Sequence, residues 1–143
     1  MLTSLVGSEM CIRDSNLDRS REILDRCSEN ISIFTGDDKT SARDILMGFK
    51  GNISVTANVV PLAMHNMCRL AAEGNKEEAE KINTTVDVLH DNLFIESNPI
   101  PVKWALSRMG LIKKGIRLPL TWMDEIYESK LEQSLIDAGV ELK

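Results

Sequence analysis

The sequence is poor in aromatic residues and has no long apolar or basic run, and each deficit excludes a class of function. Aromatic side chains make up 4% of the 143 residues, too few for a surface on which nucleic-acid bases stack. The net charge is −5 and no block of Lys and Arg stands out, which argues against a nucleic-acid partner. No apolar run approaches the ~20 residues that a membrane span requires, and the start does not resemble a signal peptide. We therefore expect a soluble globular domain that binds neither nucleic acid nor membrane.

Cysteine and histidine are too few and too scattered for a disulfide framework or a metal site. The three cysteines are Cys11, Cys27 and Cys68, an odd number that is typical of reduced thiols in a cytoplasmic protein. Each of the two histidines, His65 and His90, lies on a predicted helix among apolar neighbours, and we expect both to be boundary residues. No His, Cys or carboxylate cluster has the spacing of metal ligands. We expect neither a metal nor a cofactor.

The first half of the chain predicts a strand, a helix and a second strand. The run Ile31–Thr35 is rich in β-branched and aromatic residues and ends at a glycine, so it predicts the first strand. Ser41 and Asp44 resemble a capping box that opens a helix over 42–49. The run Asn52–Thr56 predicts the second strand. A strand, a helix of about ten residues and a further strand form the βαβ unit of a parallel sheet.

Beyond the second strand the pattern is helical. Pro99 and Pro101 interrupt it, and we expect an extended break there that excludes helix at Asn98 and Ile100. The apolar periodicity predicts one helix before the first strand and four after the second, over residues 17–27, 61–73, 76–94, 101–111 and 120–138.

This inventory is lopsided for an α/β protein. Two parallel strands leave an unpaired edge on each side, and a complete (β/α)8 TIM barrel takes ~250 residues where this chain has 143. The fold class that we predict is α/β, with the last two βα units of a TIM barrel followed by a C-terminal helical domain. We also expect exposed apolar faces on the helix over 42–49, at Ile45, Leu46 and Phe49, and hence self-association.

The candidate ligand site lies where the two predicted strands end. Ligands of parallel α/β folds sit at the carboxyl ends of the strands, which selects Gly36, Asp37, Val55 and Thr56. A glycine at residue 36 allows the main chain to approach a small substrate closely. The alternative is that Asp37 and Asp38 only solvate the turn and cap the next helix, and position alone favours that alternative.

Three segments together carry a resemblance to a known family. They are "GNISVTANVVP" (Gly51–Pro61), "LFIESNPIPVKWAL" (Leu93–Leu106) and "IRLPLT" (Ile116–Thr121). With "NLDR" at Asn16 and "TGDD" at Thr35, they resemble the C-terminal half of the dihydrodipicolinate synthase family, over residues 16–143.

The resemblance implies a fold and an activity. Members have a (β/α)8 barrel with a C-terminal helical domain and form homotetramers in the cytoplasm. They condense pyruvate with aspartate semialdehyde to 4-hydroxy-tetrahydrodipicolinate on the route to lysine and diaminopimelate. A strand lysine forms a Schiff base with pyruvate, a tyrosine relays protons, and no cofactor takes part.

The same resemblance assigns residues. The family's lysine position falls on Cys11, and the only tyrosine, Tyr127, lies in the last predicted helix, so we expect no catalytic residue here and an inactive chain when it is alone. Ile53 matches the residue that contacts pyruvate, largely through its main chain. Gly36 and Val55 match the neighbouring pocket wall.

The opening of the chain has a separate explanation. The segment Ser4–Ser15 resembles the translation of an adapter used in preparing DNA sequencing libraries. We therefore expect residues 1–15 to be non-native and to pack poorly, with 16–73 as the last part of the barrel and 74–143 as the helical domain. The competing interpretation is a diverged paralogue that lacks the lysine and has its own N-terminal segment.

Two other functions remain open at this stage. One is another pyruvate-dependent aldolase, such as N-acetylneuraminate lyase, although "TGDD" at Thr35 fits the synthase better. The other is a non-catalytic module whose helices serve only association.

Overall fold

A small parallel sheet followed by packed helices makes up the part of the chain that the computed structural model describes, residues 9–13, 16–27 and 31–143. Most of the segment predicted to be non-native, 1–15, lies outside these described residues. None of the described helices is both long enough and apolar enough to cross a membrane. The elements in order are β1 (Glu9–Ile12), α1 (Leu17–Cys27), β2 (Ser32–Thr35), α2 (Ser41–Leu46), a short 3-10 helix (Thr56–Asn58), α3 (Pro61–Ala72), α4 (Lys76–Asn92), α5 (Ile100–Arg108) and α6 (Glu125–Asp137).

Strand β2 is the centre of the sheet. Strand β1, which the sequence did not predict, pairs with β2 in parallel. On the other edge of β2, the main chain of residues 50–53 runs alongside: the amide of Thr35 donates to the carbonyl of Gly51 (3.0 Å), and the amide of Ile53 donates to the carbonyl of Thr35 (2.8 Å). A helix connects each neighbouring pair, as parallel pairing requires. The predicted strand over 31–35 is confirmed at Ser32–Thr35.

The predicted second strand over 52–56 is wrong. Only Asn52 forms a bridge to β2, and a 3-10 helix begins at Thr56. The main chain leaves the sheet because the amides of Val55 and Thr56 both donate to Oδ2 of Asp38, each at 3.0 Å. The carboxylate of Asp38 thus accepts the two amide hydrogen bonds that these residues would otherwise donate to a neighbouring strand.

The capping box predicted at the start of α2 is also wrong. The carboxylate of Asp44 instead accepts hydrogen bonds from the hydroxyls of Thr35 (3.0 Å) and Thr40 (2.7 Å). Ser41 donates its hydroxyl to a main-chain carbonyl of the preceding turn. Helix α2 ends at Leu46, earlier than predicted. The hydrogen bond between Asp44 and the hydroxyl of Thr35 connects this short helix to the end of β2.

The starts of two later helices differ from the prediction. Helix α6 begins at Glu125 rather than Leu120, because the carboxylate of Asp124 accepts the main-chain N–H two residues on and caps the helix there. The extended break predicted at Ile100 is wrong, since Ile100 is the first residue of α5. Pro101 is then accommodated in the first helical turn, where a missing N–H costs no hydrogen bond.

The apolar face of α2 is covered. Ile45 and Phe49 are only 3% and 2% exposed, so the prediction that they lie open to solvent is wrong, while Leu46 is half-buried. Helix α2 packs against α3 and α4. The residues of this core are Ile33, Ile45, Phe49, Ala71 and Ala79.

A second and larger core joins α4, α5 and α6. It contains Leu89 of α4 and Leu93 directly after that helix, Trp104 of α5, and Leu131 and Leu135 of α6. The indole N–H of Trp104 donates to the carboxylate of Glu128 at 3.0 Å, which satisfies its one polar group. The three helices therefore share one apolar core.

Leu131→Ala is expected to destabilise the chain by about 2–5 kcal/mol, because its fully buried side chain (0% exposed) would leave a cavity in this core. The matched control is Leu118→Ala, whose side chain is 87% exposed and whose loss should change the free energy of unfolding by less than about 0.5 kcal/mol. Denaturant unfolding measures both values, and equal losses would contradict this packing.

Candidate active site

The carboxyl ends of the parallel segments open into a cavity of about 390 Å3. Gly36, Ile53 and Val55, the three predicted substrate-binding residues, all line it, and Val102 and Leu106 of α5 form its far wall. Ile53 is 53% exposed, so it lies at the surface of the cavity and is not part of the hydrophobic core. The residues that the sequence selected at two separate strand ends are thus brought together.

Gly36 permits a close approach of the strands at the cavity. A Cβ atom at residue 36 would lie 2.5 Å from Cγ of Arg13 and 2.8 Å from Sγ of Cys11, so any side chain would displace both neighbours. Cys11 is a free, exposed thiol. Its sulfur therefore lies beside the cavity, at the position that the resemblance gives to a lysine.

A second cavity of about 480 Å3 adjoins the first, and the two share Arg13, Gly36 and Phe94. Asp37 lines this second cavity, and its Oδ1 also accepts the amide of Lys39 at 3.0 Å, so it stabilises the turn as the alternative interpretation expected. For Asp38 that interpretation is wrong, because its side chain, which also lines this second cavity, is buried and does not cap α2.

The carboxylate of Asp38 is the buried polar centre of the site. It is 4% exposed. Oδ2 accepts the amides of Val55 and Thr56, each at 3.0 Å, and Oδ1 accepts the side-chain amide of Asn52 at 2.8 Å. Hydrogen bonds to an ionised acceptor are about twice as strong as neutral ones. Sequence reasoning missed this role, because nothing in "TGDD" indicates which of the two aspartates turns inward.

His90 connects this centre to α4. Its Nδ1 lies 2.9 Å from the hydroxyl oxygen of Thr56, and its Nε2 lies 3.3 Å from Oδ1 of Asn83. Because a carbonyl oxygen only accepts, Nε2 carries the proton and Nδ1 accepts the hydroxyl of Thr56. His90 is therefore a buried, hydrogen-bonded residue, and the prediction of a boundary residue was wrong for it. His65 is exposed on α3.

Burial lowers the pKa of His90. The loss of solvation is the largest effect, and it outweighs the nearby carboxylates, which raise the pKa because they favour the charged ring. These carboxylates are Asp38, Asp87, Asp37 and Asp91.

Two further groups lie apart from the cavity. Thr56, a predicted site residue, is fully buried and contacts the site only through its hydrogen bonds. Tyr127 packs against the core of α4, α5 and α6. Among the described residues, no three or more His, Cys, Asp or Glu side chains are placed to hold a metal ion.

Comparison with known families decides the relationship. The sequence profile of the Dihydrodipicolinate synthetase family matches residues 2–138. The chain belongs to this family. Its fold is accordingly a section of the family's (β/α)8 barrel together with the helices that follow, and the family's enzymes are lyases that use pyruvate.

Two relatives from this family are both 4-hydroxy-tetrahydrodipicolinate synthases. The enzyme of Thioalkalivibrio sulfidiphilus is 48% identical over 99% of this chain, and that of Stutzerimonas stutzeri is 52% identical over 87% of it. The chain spans 47% and 43% of the length of these relatives, which is less than half.

A solved structure agrees with the sequence relationship. The dihydrodipicolinate synthase of Acinetobacter baumannii, described as chloride-inhibited and complexed with pyruvate, is 43% identical and superposes with a TM-score of 0.88. The match covers 90% of this chain and 44% of that enzyme.

The lowered pKa of His90 predicts a loss of stability in weak acid. An unfolded histidine titrates near its ordinary pKa of about 6.5, and the folded one titrates below that. Between these two pKa values the unfolded state binds more protons, so the free energy of unfolding should fall as the pH falls from about 7 through the folded pKa.

His90→Gln should remove this part of the pH dependence, whereas His65→Gln should keep it, because His65 is exposed. Denaturant midpoints measured at a series of pH values give the comparison. Parallel curves for the His90→Gln variant and the parent chain would contradict the buried neutral state of His90.

Proposed function

We propose that the whole protein to which this chain belongs condenses pyruvate with aspartate semialdehyde to 4-hydroxy-tetrahydrodipicolinate in the biosynthesis of lysine. The observation that carries the proposal is the cavity at the ends of the parallel segments, lined by Gly36, Ile53 and Val55. The cavity occurs in a chain of which 99% aligns, at 48% identity, with a 4-hydroxy-tetrahydrodipicolinate synthase. A sugar-acid aldolase or a purely associative module is less well supported, because neither explains that identity.

In this proposal the chain supplies the wall against which pyruvate rests. Gly36 leaves room for a small keto acid close to the main chain, and Ile53 and Val55 form the adjacent surface. The Schiff base needs an amine beside this wall. Lys39 is unsuited to that role, because its hydrogen bonds to Asp91 raise its pKa and keep it protonated. The thiol of Cys11 cannot form an imine. Lys103 lines the cavity, but it lies on α5 and not on the strand that the resemblance assigns to the Schiff-base lysine. In this proposal the chain alone therefore does not catalyse the condensation.

The assembly, location and organisation of the protein are also proposals. We propose a homotetramer in the cytoplasm, which the family relationship and the three free thiols support. We further propose that residues 1–15 are non-native, that 16–73 are the last part of the barrel and that 74–143 are the helical domain. The family profile matches from residue 2. This match favours the competing interpretation, a diverged paralogue with its own N-terminal segment.

Cys11→Lys is expected to give the chain a Schiff-base partner for pyruvate, because the sulfur of Cys11 lies beside Gly36 at the cavity. Borohydride reduction in the presence of pyruvate should then leave one adduct at residue 11, detected by mass spectrometry of the intact chain and its peptides. The parent chain should give none. Cys27→Lys is the matched control, since Cys27 is the last residue of α1 and does not line the cavity. A stoichiometric adduct on the parent chain would overturn the proposal.

A fused protein tests the activity itself. Residues 16–143 joined to the N-terminal half of the Thioalkalivibrio sulfidiphilus enzyme should consume pyruvate in the presence of aspartate semialdehyde. A second fusion, which keeps residues 9–15 of this chain and therefore Cys11, should be inactive, because it lacks the amine for the Schiff base. Activity in the second fusion would contradict the assigned position of the lysine, and inactivity in both would contradict the proposed function.

A further inference from the structure

The segment that forms the pyruvate-facing wall is not held by the sheet along its whole length. The amide of Ile53 donates to the carbonyl of Thr35, and this is the last ladder bond on that edge. Beyond it the amides of Val55 and Thr56 donate only to Asp38. The position of the wall after residue 53 therefore depends on a side chain from the neighbouring turn.

Asp38 directs all its side-chain hydrogen bonds to this one segment. Its three donors are the side chain of Asn52 and the amides of Val55 and Thr56. A buried carboxylate is costly unless hydrogen bonds or a cation compensate for its lost solvation. Within the described residues no cation forms an ion pair with Asp38, so these donors are what stabilise its charge. The hydrogen bonds stabilise the charge of the carboxylate and at the same time hold the main chain of residues 55 and 56 in place.

The segment is anchored a second time through a side chain. The hydroxyl of Thr56 donates to Nδ1 of His90, 2.9 Å away, so the residue that gives its amide to Asp38 gives its hydroxyl to α4. Asp38 itself is absent from the lining of the 390 Å3 cavity. It lines the adjoining 480 Å3 cavity instead, so it acts on the wall through the main chain of Val55 and Thr56 rather than through the 390 Å3 cavity itself.

We propose that Asp38 is the positioning residue of the pyruvate site: its carboxylate holds the main chain of Val55 and Thr56, and thereby sets the place of the wall formed by Ile53 and Val55. This inference rests on the proposed function, because it takes pyruvate as the ligand of that wall. It adds a residue that does not touch the substrate yet determines how well the substrate binds.

The first test examines the segment in the chain itself. In the 15N-labelled chain, Asp38→Ala should speed the hydrogen exchange of the Val55 and Thr56 amides about 10-fold or more, because hydrogen bonds to a charged acceptor are lost. Asp38→Asn keeps an acceptor of the same shape and should give a smaller increase. If Asp38→Ala leaves both amides as protected as in the parent chain, the proposal is overturned.

The matched control is Asp44→Ala. Asp44 is as buried as Asp38, 3% against 4% exposed, but its carboxylate accepts the hydroxyls of Thr35 and Thr40 instead of the amides of the wall. This variant should lower the thermal midpoint and leave the exchange of the Val55 and Thr56 amides unchanged. Equal acceleration in both variants would reduce Asp38 to a general structural role and would overturn the proposal.

The second test uses the active fusion. Asp38→Ala should raise the KM for pyruvate about 10-fold with a smaller change in kcat, and Asp38→Asn should recover part of the loss. Asp44→Ala should leave this KM within about twofold of the parent value. An unchanged KM in Asp38→Ala overturns the positioning role. Inactivity of the unsubstituted fusion contradicts the proposed function instead, and the exchange measurement then still decides whether Asp38 holds the segment.

Discussion

The arrangement of this chain depends on one buried carboxylate. Asp38 collects three hydrogen bonds from the segment that follows the second βα unit, and it does so at the point where that segment leaves the sheet. Because Thr56 also binds His90 of α4, the same few residues connect the sheet, the cavity and the helices. Charge-assisted hydrogen bonds in a buried setting are strong enough to override a strand tendency, and here they do.

The sheet itself is open on the side away from β1. The carbonyl oxygen of the Asn52 side chain is buried there without a hydrogen-bond partner, although buried polar atoms are nearly always satisfied. A cavity lined by Phe34, Met64 and Cys68 opens beside it. In a closed (β/α)8 barrel this edge would face a further parallel strand. The unsatisfied atom and the cavity both lie on this side of the described sheet.

Sequence reasoning predicted the parts whose signals are local. The strand ending at Thr35 and the long helices follow from periodicity, and the ends of the parallel strands indicated the cavity. The failures at the site involve polar side chains that act across the fold. Neither Asp38 nor Asp44 nor His90 could be assigned from its neighbours in sequence, because their partners lie 14, 9 and 34 residues away. Resemblance to a family predicted Ile53 as a substrate contact, whereas the burial of Asp38 is visible only in the structure.

The site also separates two chemical tasks. The wall needs only shape: no side chain at residue 36 and a fixed main chain at residues 53–56. The proposed reaction needs an amine with a lowered pKa, and the resemblance assigns this amine to the strand next to the glycine. Here that strand carries Cys11, whose sulfur lies against Gly36. The cavity wall is supported by Asp38 and His90, on elements that follow β1 in the chain. Under the proposed function, pyruvate recognition and Schiff-base chemistry would therefore rest on different residues and be separable by substitution.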